Sequence, residues 1–226
     1  MLQLFIYFLL ALVPSMNKAE PGNPAVGMDD RRDLFTVLQL SEKGLSQEVF
    51  QLALKGYRKL EIDGKLRNSG ILTIVDFSQS SKNKRLYVID LLHKVILFNT
   101  YVAHGRNTGD EFANQFSNIS GSYKSSLGFY ITKEEILGAS VGLSLILDGM
   151  EKGFNDNALK REIIIHGADY ATEKFIRKTG RLGRSFGCPS LPPDMIKPVV
   201  TTIKEGTCLF IYQADQNYIS HSRLLN

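Results

Sequence analysis

Ile71-Leu-Thr-Ile-Val-Asp-Phe77, Arg85-Leu-Tyr-Val-Ile-Asp-Leu91 and Lys94-Val-Ile-Leu-Phe-Asn-Thr-Tyr-Val-Ala103 decide the fold class. Each is rich in β-branched and aromatic residues, which suit a pleated, half-buried surface. A Ser/Lys/Asn turn separates the first two, and a very short connection makes the second and third a hairpin. Downstream, further short strands are expected at Phe129-Tyr-Ile-Thr132, Gly142-Leu-Ser-Leu-Ile-Leu147, Glu162-Ile-Ile-Ile165 and Thr207-Cys-Leu-Phe-Ile-Tyr212. Two modest helices fit between them, near 171–178 and 193–203, the second opened by Pro192-Pro193. Many short strands with few helices and no strand–helix alternation predict a mainly β domain with α additions, its strands mostly antiparallel. Residues 104–126 are polar and rich in Gly, Ser and Asn, a long loop of the kind kept for function.

Upstream, residues 30–64 read as an N-terminal helical segment preceding the β domain. Ser46 caps a stretch in which Val49, Phe50, Leu52, Ala53 and Tyr57 fall at helical spacing, ending near Gly64. Pro21, Gly22, Pro24 and Gly27 mark a linker over 20–30. Leu2 to Val13 is apolar apart from Gln3, too short for the roughly 20 residues of a membrane span. It suits the apolar region of a secretory signal, with small residues around Val13-Pro-Ser15 and at Ala19 for cleavage. The expected organisation is a signal peptide over 1–19, linker and helical segment over 20–69, a catalytic domain over 70–213 and a C-terminal tail over 214–226. The mature chain is then exported to the periplasm or cell envelope and soluble.

The composition of the 226 residues, 43% hydrophobic and 22% charged, allows an ordinary core. The 27 basic residues against 23 acidic ones are scattered, and no aromatic–basic alternation marks a nucleic-acid surface. The two cysteines, Cys188 and Cys208, raise the question of a disulfide in an exported protein. Cys208 lies in an apolar strand and reads as a small buried hydrophobe. His104, His166, Asp169 and Cys188 lack a recognisable ligand spacing, so no metal is expected, and no cofactor motif is present.

One pair of segments carries chemistry. Ile163-Ile-Ile-His166-Gly167 puts a histidine at the end of an apolar strand, and Cys188 follows 22 residues later in Gly180-Arg-Leu-Gly-Arg-Ser-Phe-Gly-Cys188-Pro-Ser-Leu. Gly187 frees the backbone before the cysteine and Pro189 stiffens it after. A cysteine on such a turn has backbone N–H groups beside it to meet an oxyanion. Arg181 and Arg184, if close, lower its pKa, and His166 supplies a base near working pH. A nucleophile, a base and fixed donors are what acyl transfer requires. The residues alone leave a second reading open: a non-catalytic wall-binding or structural β domain with a Cys188–Cys208 disulfide.

The pair His166-Gly167 and Ser185-Phe186-Gly187-Cys188 resembles the signature of the murein L,D-transpeptidase catalytic domain. Leu147-Asp-Gly-Met-Glu-Lys-Gly-Phe-Asn-Asp-Asn-Ala158 and Arg161-Glu-Ile-Ile-Ile-His-Gly-Ala-Asp-Tyr170 resemble a branch whose turn reads Ser-x-Gly-Cys-Pro, and Ser125-Ser-Leu-Gly-Phe-Tyr130 extends the likeness upstream. It covers roughly residues 70–213. The resemblance implies an L,D-transpeptidase-like β-sandwich acting on peptidoglycan stem peptides. It implies Cys188 as nucleophile, His166 as base, the Gly167 carbonyl orienting the imidazole, and Ser185 and Gly187 shaping the turn and oxyanion site. The sequence departs from the family pattern at Phe186, where a histidine is usual. It departs again at Pro189-Ser190, where an apolar residue followed by Asn or Arg is usual. Arg184 is the candidate to hold the substrate in place of that Asn or Arg. His104 is a further candidate for the cleft wall.

Overall fold

The computed structural model describes residues 34–226; the expected signal peptide and the 20–30 linker lie outside the described residues. Eight strands form one continuous sheet: β1 (Ile71–Asp76), β2 (Leu86–Asp90), β3 (Val95–Thr100), β4 (Gly128–Gly138), β5 (Gly142–Gly149), β6 (Ile164–Gly167), β7 (Ser190–Leu191) and β8 (Cys208–Tyr212). Their spatial order is β3-β2-β1-β8-β4-β5-β6-β7. Five of the seven strand pairs are antiparallel, and β1/β8 and β6/β7 are parallel. The mainly β expectation holds, and the sandwich takes the form of a single curled sheet. Ala103, three residues past β3, bridges Ser190 on β7, with N–H···O bonds of 2.9 and 3.2 Å in the two directions. The chain just beyond one edge thus meets the other edge.

Burial follows position in the sheet. All five residues of β8, in its middle, are buried, so Cys-Leu-Phe-Ile-Tyr reads as a continuous apolar run. On β3, at the edge, exposed and less exposed residues alternate over most of the strand. Beyond Thr132, β4 continues after a register shift, pairing Glu135 with Leu145 and Gly138 with Gly142. The strand pattern in the sequence ends at Thr132 because Lys133-Glu-Glu135 breaks the apolar run, and these residues are exposed on a projecting hairpin.

Helix α1 (Gln47–Ile62) begins where Ser46 Oγ accepts the Val49 N–H at 3.2 Å. This is the cap its sequence predicts, a contact typically contributing about 1 kcal/mol. Val49, Phe50, Ala53 and Tyr57 are buried in the same core as the sheet, so the segment is a packing element. Gly56 lets the helix lie against Phe129 of β4: a Cβ there would stand 2.1 Å from the ring. Helix α2 (Glu173–Thr179) follows a 3-10 turn at Asp169–Ala171, and α3 (Pro193–Ile203) buries Ile196, Val199, Val200 and Ile203. The C-terminal residues are docked through α4 (Gln216–His221), whose Tyr218 hydroxyl donates to the buried Glu151 carboxylate at 2.8 Å. Among the described residues, no helix is long and apolar enough to cross a membrane.

Candidate active site

His166 is the third residue of β6, held between β5 and β7 and paired with Ser144 and Ser190. Cys188 lies on the turn that leads into β7, so the β6/β7 pairing brings together segments 22 residues apart. Both side chains line one cavity of about 1130 Å³. Its lining includes the apolar Leu143, Ile146 and Leu159 and the polar Arg161, Glu162 and Tyr170. His104 does not line this cavity. It is buried, accepting from Arg85 Nη2 at 2.8 Å through Nδ1 and donating to the Gly109 carbonyl at 3.2 Å through Nε2. Burial and the Arg85 charge push its pKa down to about 3, so it is a neutral structural histidine.

The imidazole of His166 is 3.0 Å from the Gly167 carbonyl through Nδ1 and 3.0 Å from Ser190 Oγ through Nε2. A carbonyl only accepts, so Nδ1 carries the hydrogen and the neutral ring keeps its lone pair on Nε2. Burial lowers the His166 pKa, against the smaller opposing effect of the Gly167 bond. The ring is neutral near pH 7, as a base must be.

The turn is built by its own side chains. Ser185 Oγ donates to the Cys188 carbonyl at 2.6 Å and accepts the Gly187 N–H at 3.0 Å, closing the loop on itself. Gly187 has φ +132°, which side chains rarely adopt, and a Cβ there would stand 3.0 Å from the Lys124 carbonyl. Its own carbonyl accepts from Ser125 Oγ at 2.9 Å. The Gly187 N–H is therefore committed to the turn's shape.

Cys188 is half-buried, and its thiol points at the Glu162 carbonyl, 3.8 Å away. Glu162 has φ 55°, a left-handed conformation unusual for its residue type, at the entry to β6. Among the described residues, no hydrogen bond joins the sulfur to the imidazole. Burial raises the thiol pKa, opposed by the Ile164 N–H and the Arg161 charge, so the resting sulfur is protonated. This corrects the expectation that Arg181 and Arg184 would activate it. Arg184 lines the cavity, but its Nη1 donates to Asp110 Oδ1 at 2.6 Å and to the Gly109 carbonyl at 3.2 Å. Arg181 lies 3.7 Å from the same carboxylate. Proximity in sequence misled here. The cation facing Cys188 is Arg161, at the start of the segment that leads into β6.

The disulfide required by the non-catalytic reading is absent, since both cysteines are free. Cys208 is wholly buried on β8, pairing with Leu72 and Ile131. In the sheet order β8, which carries Cys208, and β7, which Cys188 precedes, are separated by β4, β5 and β6. Three site residues escaped the sequence reading: Arg161, Tyr170 and Ser190. Their only signal was position, Tyr170 four residues after His166 and Ser190 two after Cys188. Phe186 is exposed at the rim, 5.2 Å from the Tyr123 ring, with the Arg106 guanidinium over both rings.

The family model of the L,D-transpeptidase catalytic domain matches residues 41–212, which include α1 as well as the sheet. No curated protein matches the chain. Among solved structures, an L,D-transpeptidase from Mycobacterium smegmatis aligns at 12% identity and TM-score 0.39, over 64% of this chain and 59% of that one. L,D-transpeptidase 3 from Mycobacterium tuberculosis aligns at 12% identity and TM-score 0.41, over 64% and 61%. Bd1075 of Bdellovibrio bacteriovorus aligns at 16% identity and TM-score 0.41, over 65% and 50%. The chain therefore spans less than two thirds of the length of each of these structures.

Proposed function

Starting from the fact that this chain belongs to the L,D-transpeptidase catalytic-domain family, we propose that it performs cysteine-dependent acyl transfer on peptidoglycan stem peptides. Cys188 is the nucleophile and His166 the base. The observation that supports these roles is the shared cavity, lined by both a half-buried thiol and an imidazole with its lone pair on Nε2.

At rest both groups are neutral, so the nucleophile must be generated during the reaction. The thiol turns away from the Glu162 carbonyl as its proton passes to Nε2 of His166. The sulfur then attacks the carbonyl of the third, diamino-acid residue of the stem. The resulting imidazolium protonates the departing nitrogen of the terminal D-amino acid, leaving a thioester on Cys188. The oxyanion formed on the way is met by backbone amides of the turn that Ser185 and Gly187 shape. Attack by the side-chain amine of a neighbouring stem gives a 3→3 cross-link and regenerates the thiol; attack by water makes the chain an L,D-carboxypeptidase. Arg184, held by Asp110 at the cavity edge, is a candidate contact for a substrate carboxylate. This substrate lies outside the cytoplasm, consistent with the export expected from residues 1–19.

The test uses disaccharide tetrapeptide, wild-type protein and Cys188→Ala, with products followed by mass. Loss of the terminal D-amino acid with wild type alone is expected, and the mass of the second product identifies amine or water as acceptor. A carbapenem should add its mass to wild type and leave the alanine variant unmodified. Equal turnover by both proteins rules the mechanism out.

A further inference from the structure

Ser190 is the residue whose backbone joins the two edges of the sheet, and its side chain faces the imidazole. Its hydroxyl has three neighbours: His166 Nε2 at 3.0 Å, the Tyr170 hydroxyl at 3.0 Å and the Cys188 carbonyl at 3.5 Å. Since Nδ1 of His166 carries its hydrogen for Gly167, Nε2 of the neutral ring accepts, and Ser190 donates to it. The Tyr170 hydroxyl then donates to Ser190 Oγ. When the ring gains a second proton, the direction of one bond reverses. Nε2–H donates to Ser190 Oγ, and the serine hydrogen turns to the Cys188 carbonyl, which lies at the limit of reach at rest. In that state the oxygen accepts twice and donates once, which is its full capacity.

We propose that Ser190, steadied by Tyr170, is a positioning residue that carries His166 through both protonation states of the acyl-transfer cycle without moving the ring. The proposal rests on the acyl-transfer reading given above. The Ser190 hydroxyl hydrogen first rotates from Nε2 to the Cys188 carbonyl, which frees the Nε2 lone pair; the proton that leaves sulfur ends there, and Ser190 gains and loses none. A residue confined to donating or to accepting would leave one of the two ring states with a buried, unpartnered nitrogen. Serine at this position thus turns inward to the base, where the family pattern has Asn or Arg. The titratable groups sharing the cavity with His166 are Arg161, Glu162, Asp169, Tyr170, Arg184 and Cys188, and α3 and β5 contribute only apolar side chains there.

The experiment titrates the full-length chain labelled with 15N-histidine, as wild type, Ser190→Ala, Ser190→Thr and Tyr170→Phe. Acylation by a carbapenem is followed on the same samples. A charge-assisted bond is about twice as strong as a neutral one, so losing the hydroxyl hurts the imidazolium more than the neutral ring. The His166 midpoint is expected to fall in Ser190→Ala, to be restored in Ser190→Thr, and to rise slightly in Tyr170→Phe, which removes the donor that competes with Nε2–H for Ser190 Oγ. The maximal acylation rate should drop about tenfold in Ser190→Ala, the scale of an impaired general base. Its half-saturating concentration should change little. An unchanged His166 midpoint in both Ser190→Ala and Tyr170→Phe overturns the proposal. Should Ser190→Ala fail to fold, Tyr170→Phe decides alone, because it breaks only the far end of the chain of bonds. Midpoints that shift as expected in proteins that are never acylated would refute the acyl-transfer reading while leaving the hydrogen-bond assignment standing.

Discussion

Replacing Arg161 should loosen the 117–126 segment and slow the chemistry of Cys188 for separable reasons. Its Nη1 donates to the Ser117 carbonyl at 2.7 Å and to Ser126 Oγ, and its Nη2 donates to the Lys124 carbonyl at 2.6 Å and to Ser122 Oγ at 3.4 Å. One guanidinium therefore ties four residues of the 117–126 segment to the strand that carries His166. Hydrogen bonds to a charged group contribute about 1.5–3 kcal/mol each in buried settings. Water reaches part of this half-buried site, so Arg161→Ala is expected to cost about 3 kcal/mol in total rather than the sum. For a domain of this size that corresponds to a fall in Tm of roughly 6–12 °C. Arg161→Lys keeps the charge but has no fork to bridge two carbonyls, and should recover under half of that loss. The same charge opposes the burial that raises the Cys188 pKa. Alkylation by iodoacetamide at pH 7.5 should accordingly be slower in the alanine variant and near wild type in the lysine variant. Calorimetry, limited proteolysis and peptide mapping of the alkylated cysteine measure the three effects. An alanine variant that melts within about 1 °C of wild type, with no new cleavage in 117–126, refutes the clamp.

Two other perturbations test the fold. His104 has a folded-state pKa of about 3, against an ordinary 6.5, so the stability of its neutral form is present above pH 6.5 and lost as the pH falls toward 3. Urea unfolding should show roughly 3 kcal/mol of loss from this group between pH 7 and 4.5, and His104→Asn should lack that part of the slope. A wild type and variant with parallel pH profiles would exclude the assignment. Gly56→Ala improves helix propensity by about 1 kcal/mol but drives a methyl into the Phe129 ring. Overpacking of that kind costs about 1–3 kcal/mol or more, so the denaturation midpoint should drop. Phe129→Leu in the same chain should recover part of it; a midpoint at or above wild type in the single variant would show that the ring moves freely.

Much of the fold was legible because its signals are local. Ser46 before an apolar stripe set the start of α1, Pro192-Pro193 set the start of α3, and β-branched runs marked β1 and β2. The two-residue β7 could not be read that way, for it is a strand only by virtue of pairing with His166 and Gly167. The outer half of β4 is held by its ladder to β5, with too little burial to leave an apolar pattern. At the site, Cys188 and His166 stood out as candidates by residue type and by the turn before the cysteine, and the fold brings both to one cavity. The site's electrostatics were not legible, because Arg181 and Arg184 are bound to Asp110 and the charge that opposes the rise of the thiol pKa is that of Arg161, before β6. Ser190 looked like a departure from the family pattern, and its significance depends on a Tyr170 hydroxyl that only the folded chain brings to it.

The bridge between Ala103 and Ser190 ties the integrity of the reacting groups to a joint held outside the strand ladders. A few backbone bonds close the circuit there, at the Ala103–Ser190 and Gly105–Ser185 bridges, whereas the interior rests on a large apolar cluster. Gentle breathing at that joint would scatter imidazole, hydroxyl and sulfur while the bulk of the protein stayed folded. Inactivation and melting then become distinct events, with the former arriving first under mild denaturing conditions.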